Sequence, residues 1–219
     1  MATPSKRKLL LLLFALGFII AFIQVGLLTI AFHKLGLSPT AGYTLLITSL
    51  AGSLINLPLF RLRSERDESL PPPPTLFPLT QGILSPHHTL IAINVGGCLI
   101  PVAFSLYLLI YTEVTLLESL IAALFVSVIS YGFSRPIHGI GIGMPILVAP
   151  LAAALIALAI NPESAPPLAY ISGTMGVLIG ADILRLKNIQ QMGPPFAAIG
   201  GAGTFDGVFL TGIVAVLLA

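Results

Sequence analysis

The sequence predicts an all-α, polytopic membrane protein with about seven transmembrane helices, its N-terminus cytoplasmic and its C-terminus outside. Three observations carry that prediction. Of 219 residues, 56% are hydrophobic and only 8% charged, whereas a soluble domain carries about a quarter charged residues. Mean hydropathy is +1.03, and the apolar runs Leu9–Phe32 and Leu90–Ile110 both exceed the roughly 18 residues that mark a spanning helix. Laid out span by span, the basic residues also fall almost entirely on one side.

The first run follows Lys6-Arg7-Lys8. It resembles a signal peptide, but it is too long and ends in no small-x-small cleavage site, so it reads as an uncleaved helix over 9–32. A second span is expected over 42–60. The stretch 61–88 reads as a cytoplasmic loop: Arg63-Ser64-Glu65-Arg66-Asp67-Glu68 is solvated, Pro71–Pro74 is extended polyproline II, and His87-His88 closes it. Further spans are expected over 89–111, 115–134, 144–160, 167–185 and 195–219, with a break around Ser134–Gly139. The whole chain, 1–219, forms one transmembrane domain.

With the N-terminus inside, the inner segments hold Lys6, Arg7, Lys8, Arg61, Arg63, Arg66, Arg135, Arg185 and Lys187, and the outer ones only Lys34. That asymmetry sets the orientation and places the protein in the cell (inner) membrane as a multi-pass protein whose main partner is the lipid bilayer. A net charge of +2, with the basic residues beside spans, gives no basis for nucleic-acid binding. The single cysteine, Cys98, forms no internal disulfide. A seven-span chain of this size is compatible with a homodimer.

Most polar residues inside the spans, such as Gln24, Thr29, Ser105, Ser127 and Ser130, can bond their own helix or a neighbour. Asp182 and Asp206 differ. Each costs about 2.5–3.5 kcal/mol to insert, which marks an intramembrane acid as a functional candidate. They lie equally far along the chain from Pro194, so two antiparallel helices turning there bring them to one level in the cytoplasmic half. Facing carboxylates must share a proton or hold a cation. Asn94 and the glycine-rich stretch Gly200-Gly201-Ala202-Gly203 fall near that level and would complete an ion site, with Gly203 contributing opened backbone. Asn56, Arg185, Arg135 and His138 are expected to support it. A structural alternative pairs Asp182 with Arg185 or Lys187. The histidines show no recognisable metal-ligand spacing, so no metal is assigned, and no cofactor is expected beyond a bound monovalent or divalent cation.

A weak internal repeat accompanies these residues. Gly52–Leu62 aligns with Gly176–Leu186, and Ile93–Val102 with Ile199–Val208, which divides seven parallel-repeated spans as three, one and three. Interrupted spans at matching positions of two repeats point toward a transport site.

The runs IGADILRL and IGGAGTFDGVFLTGIVAVLLA, with INVGGCLIPV upstream, resemble a family of bacterial and archaeal membrane proteins catalogued only as a domain of unknown function. That resemblance covers roughly Ile91–Ala219, and it implies a polytopic membrane protein without implying an activity. A second, partial resemblance is to presenilin-type aspartyl proteases, which use two aspartates on adjacent antiparallel spans. Here Phe205 stands where that motif has its second glycine, Ala181 precedes Asp182 in place of a tyrosine, and no Pro-Ala-Leu motif follows.

Three functions therefore remain open. The first is a small cation- or proton-coupled transporter using Asp182 and Asp206. The second is an intramembrane aspartyl protease with the same pair as catalytic dyad. The third is a non-catalytic membrane assembly protein with the acids in structural pairs.

Overall fold

The structure is a computed structural model that describes residues 24–63, 88–137, 141–192, 194, 196–201 and 207–219. It is mostly helical. A helix over 24–34 (α1) leads into α2 (Pro39–Gly52), which starts at Ser38, whose hydroxyl accepts from the Ala41 amide, and at Pro39 in the first turn. Next come strands β1 (Asn56–Arg63) and β2 (His88–Asn94), then a π-helical turn (Val95–Leu99) that runs directly into α3 (Ile100–Tyr111).

Helix α4 (Leu116–Phe133) begins with a capping box: Thr115 accepts from the Glu118 amide while Glu118 accepts from the Thr115 amide. A short antiparallel pair, β3 (Arg135–Ile137) and β4 (Gly141–Gly143), leads to α5 (Val148–Ile160). Helix α6 (Ala165–Val177) passes into a second π-helical segment (Leu178–Ile183) and then α7 (Leu186–Met192). Strand β5 (Phe196–Ile199) and α8 (Gly207–Leu218) complete the chain.

Helix α6 is the hub. Almost all of it is buried, between α3, α4, α5 and α8. Small residues make that packing close: a Cβ at Gly180 would strike the Ser127 carbonyl oxygen of α4, so only glycine fits there. Among the described residues, Leu116–Phe133 and Ala165–Met192 are long and apolar enough to cross a membrane. The outer face of α4, including Leu117, Leu120, Leu124 and Val128, is exposed.

The all-α expectation is corrected by a three-stranded sheet of order β1-β2-β5. The stretches expected as uniform spans over 42–60, 89–111 and 195–219 are each part strand and part helix. Hydropathy counts apolar residues without sensing their period, so it joins a strand and the helix it abuts into one run. Thr89, Ile91 and Ile93 give the central strand β2 its β-branched character. Pro58, which has no amide to donate, sits in the edge strand β1 beside a register shift.

Strands β2 and β5 pair in parallel, with Leu90 opposite Phe196 and Ile93 opposite Ile199. That is the register in which the sequence aligns Ile93–Val102 with Ile199–Val208. The other aligned pair diverges: Gly52–Leu62 leaves its helix for β1, while Gly176–Leu186 stays helical.

The two ends of the bundle differ in charge. At the sheet end lie Arg61, Arg63, Arg135, Arg185 and Lys187, with Asp182 the one described acid. At the far end Glu118 accepts from Asn161 (3.1 Å), joining the α3–α4 and α5–α6 connections, and Lys34 donates to the last carbonyls of α8, at Val216 and Leu217.

Candidate functional site

The candidate site lies where the two parallel strands leave the sheet. After Ile199 the chain turns through Gly200 (φ +81°) and Gly201 (φ +89°), left-handed conformations that favour glycine. The Gly200 amide donates to Asp182 Oδ2 at 2.7 Å, so the π-helical segment of the α6 arm is tied to the end of β5. The widened π turn places this carboxylate at a helix irregularity of the kind that recurs at functional sites. Beside it, a partly open pocket of about 20 Å³ is lined by Asp182, Leu186, Ile189, Ile91 and Ile199, room for about one water molecule.

Gly200 also presses on the other glycine-rich bend. A Cβ there would lie 2.6 Å from the Gly97 carbonyl carbon and 2.7 Å from the Cys98 nitrogen. That second bend is built by Asn94, which is 1% exposed. Its Oδ1 accepts from the Gly97 amide (2.7 Å), and its Nδ2 donates to the Ser53 carbonyl (2.7 Å) and Asn56 Oδ1 (3.0 Å). Asn94 and Asn56 are therefore linked as neighbours, and Asn94 meets Asp182 through Gly97 and Gly200. Gly96 packs directly on the Ser49 carbonyl of α2, where no larger residue fits.

Arg185 reaches away from the bend, to α4. Its Nε donates to Ser134 Oγ (3.0 Å), its Nη2 to the Ser134 carbonyl (2.7 Å) and the Tyr131 carbonyl, and its Nη1 to Asn188 Oδ1 (3.4 Å). The guanidinium lies 4.0 Å over the Tyr131 ring. It closes the C-terminal end of α4, where carbonyls lack helical partners. Arg135 is exposed in β3. Asp206, Gly203 and His138 lie outside the described residues. Among the described residues, no group of three His, Cys, Asp or Glu could hold a metal ion.

Sequence reasoning missed Ser134 and Tyr131 as partners of Arg185, and Ser53 as a partner of Asn94. Nothing local signals those contacts, because each joins residues far apart in the chain. The one available sign of the Asp182–Gly200 contact was the pair of adjacent glycines.

No curated protein and no solved structure matches the chain. The family described as "Protein of unknown function (DUF1614)" matches residues 50–218, from the end of α2 to the end of α8. With the sheet, the glycine bends and Asp182 all inside that span, the chain belongs to the DUF1614 family.

Proposed function

We propose that the protein is a multi-pass protein of the cell membrane that transports a small cation or a proton-coupled substrate, with Asp182 as an ion-carrying residue and Asp206 as its partner. One observation carries the reading. The carboxylate of Asp182 sits in a helix broken by a π-helical segment and holds the amide of the bend where two parallel strand-to-helix units meet. Broken helices from paired repeats, meeting around a charged group, are how many transporters build their binding site. The in-register pairing of Ile93 with Ile199 supports a true repeat over the second half of the alignment. The exposed apolar face of α4 suits lipid, and the basic sheet end suits the cytoplasmic side.

Asp182→Asn tests the proposal in proteoliposomes of the full chain. An asparagine oxygen still accepts from Gly200, so the fold is kept while the charge is lost. The expected result is loss of ion-driven flux in Asp182→Asn and in Asp206→Asn. Undiminished flux in both variants refutes the role of the acids. Cleavage of a membrane-embedded peptide that is lost in either variant would instead assign the pair to an aspartyl protease.

A further inference from the structure

Asp182 stands between two surroundings that favour opposite charge states. Its Oδ2 accepts from the Gly200 amide at 2.7 Å, and a donor of that kind favours the ionised carboxylate. The same side chain lines the partly open pocket beside the π-helical segment, where the other six lining residues, Ile91, Leu186, Ile189, Ala197, Ala198 and Ile199, are aliphatic. A hydrocarbon wall favours the neutral acid. A metal cation gives up its water only for a shell of several oxygens. Of the side chains around this pocket only that of Asp182 carries oxygen, and the Ala198 carbonyl already accepts from the Gly201 amide at 3.3 Å. A proton needs only one carboxylate oxygen and a water to bring it, and the pocket has room for about one water.

Among the described residues, the other titratable groups on the surrounding elements are engaged or stand elsewhere. Arg185 is held by Ser134 and by the Tyr131 carbonyl, with the Tyr131 ring beneath it. Lys187 of α7, Arg135 of β3 and His88 of β2 are exposed. Glu118 begins α4 at the far end, Tyr170 lies in the buried middle of α6, and β5 carries no such group. Cys98 is buried against Gly200.

We infer that the ion taken up by Asp182 is a proton, and that its arrival loosens the Gly200 bend from the α6 arm. This inference rests on the transport reading and names the ion. Hydronium in the pocket gives its proton to a carboxylate oxygen: one O–H bond forms on Asp182, one breaks on hydronium, and a neutral water is left. The neutral acid suits the aliphatic wall. Its bond to the Gly200 amide then loses the help of the charge, and bonds to an ionised acceptor are roughly twice as strong as neutral ones. Gly200 is also the residue wedged against Gly97 and Cys98 of the other bend. The contact between the two bends is therefore fastened by a bond whose strength follows proton occupancy, which is how an ion with different affinity for two arrangements shifts one toward the other.

The test has two arms, both on the full chain. In proteoliposomes enclosing a pH-sensitive dye, with equal potassium and valinomycin clamping the potential, a pH gradient and a sodium gradient are imposed in turn. The expected result is that wild type dissipates the pH gradient with or without sodium, and that Asp182→Asn loses this flux. In the second arm, amide hydrogen exchange of the peptide containing Gly200 is followed against pH, relative to an unstructured peptide at the same pH. Its protection should fall on acidification in wild type while α4 peptides keep theirs, and should stay at the lower level at every pH in Asp182→Asn, whose neutral side chain mimics the protonated acid. Sodium-driven flux with no proton movement, lost in Asp182→Asn, overturns the proton and leaves the transport reading standing. Proton flux that survives in Asp182→Asn overturns Asp182 as the proton's site. Protection at Gly200 that ignores pH, or that is lost together with that of α4, overturns the loosening. Wild-type vesicles that move neither ion faster than empty ones overturn the transport reading and this inference with it.

Discussion

Replacing Gly200 by alanine is the sharpest test of the junction between the two bends. Gly200 has φ +81°, a conformation that costs an alanine about 1 kcal/mol. Its new methyl would lie 2.6 Å from the Gly97 carbonyl carbon and 2.7 Å from the Cys98 nitrogen and Cβ. Two of those three atoms are backbone, so the strain cannot be relieved by a rotamer change, and overpacking of this kind costs about 1–3 kcal/mol. Any movement that relieves the clash lengthens the 2.7 Å bond from the Gly200 amide to Asp182; bonds to charged groups contribute about 1.5–3 kcal/mol.

Together these terms sum to about 3.5–7 kcal/mol, or on the order of 10–20 °C in melting temperature for a chain of this size. The assay is thermal unfolding of purified protein in detergent at one fixed scan rate, because melting of such proteins is often irreversible. Gly132→Ala is the control. Gly132 lies in α4, and a methyl group added there would meet nothing within 4 Å, so the change should be neutral or slightly stabilising. If Gly200→Ala melts with wild type, the two bends do not press on each other as described, and Asp182 is not held by that turn.

Three further outcomes follow from the same contacts. Asp182→Ala should melt earlier than Asp182→Asn, because only asparagine keeps an acceptor for the Gly200 amide; equal melting would show that the bond adds no stability. Asn94→Ala removes the partners of the Gly97 amide and the Ser53 carbonyl at a buried position and should cost about 3 kcal/mol in the same melting assay, with no change refuting its role as the cap of the bend. Arg185→Ala should cost about 2–3 kcal/mol, and Arg185→Lys should recover little of it, since an ammonium cannot both fork to Ser134 and Tyr131 and lie flat on the Tyr131 ring; full recovery by lysine would show that charge alone matters.

Much of the helical framework was legible in the chain, and the reason differs from element to element. Helix α4, expected over 115–134 and found at Leu116–Phe133, is a long apolar run that ends at a break around Ser134, both local signals. Asp182 stood out because a charge inside an apolar run is conspicuous by composition. Ile93 and Ile199, which the sequence aligns, pair across the parallel strands β2 and β5.

Composition, run length and charge spacing were thus enough to mark a largely helical, lipid-compatible chain and its conspicuous acid, because each is a property of neighbouring residues. Only the tertiary structure decided that three apolar stretches divide between strand and helix, that Asn94 closes a bend against Ser53 and Gly97, that Arg185 reaches back to Ser134, and that Tyr170 is buried between Phe104 of α3 and Gly212 of α8. Hydropathy does not see which backbone group or side chain waits across the fold, and hydrogen-bond partnership is settled only when distant segments meet.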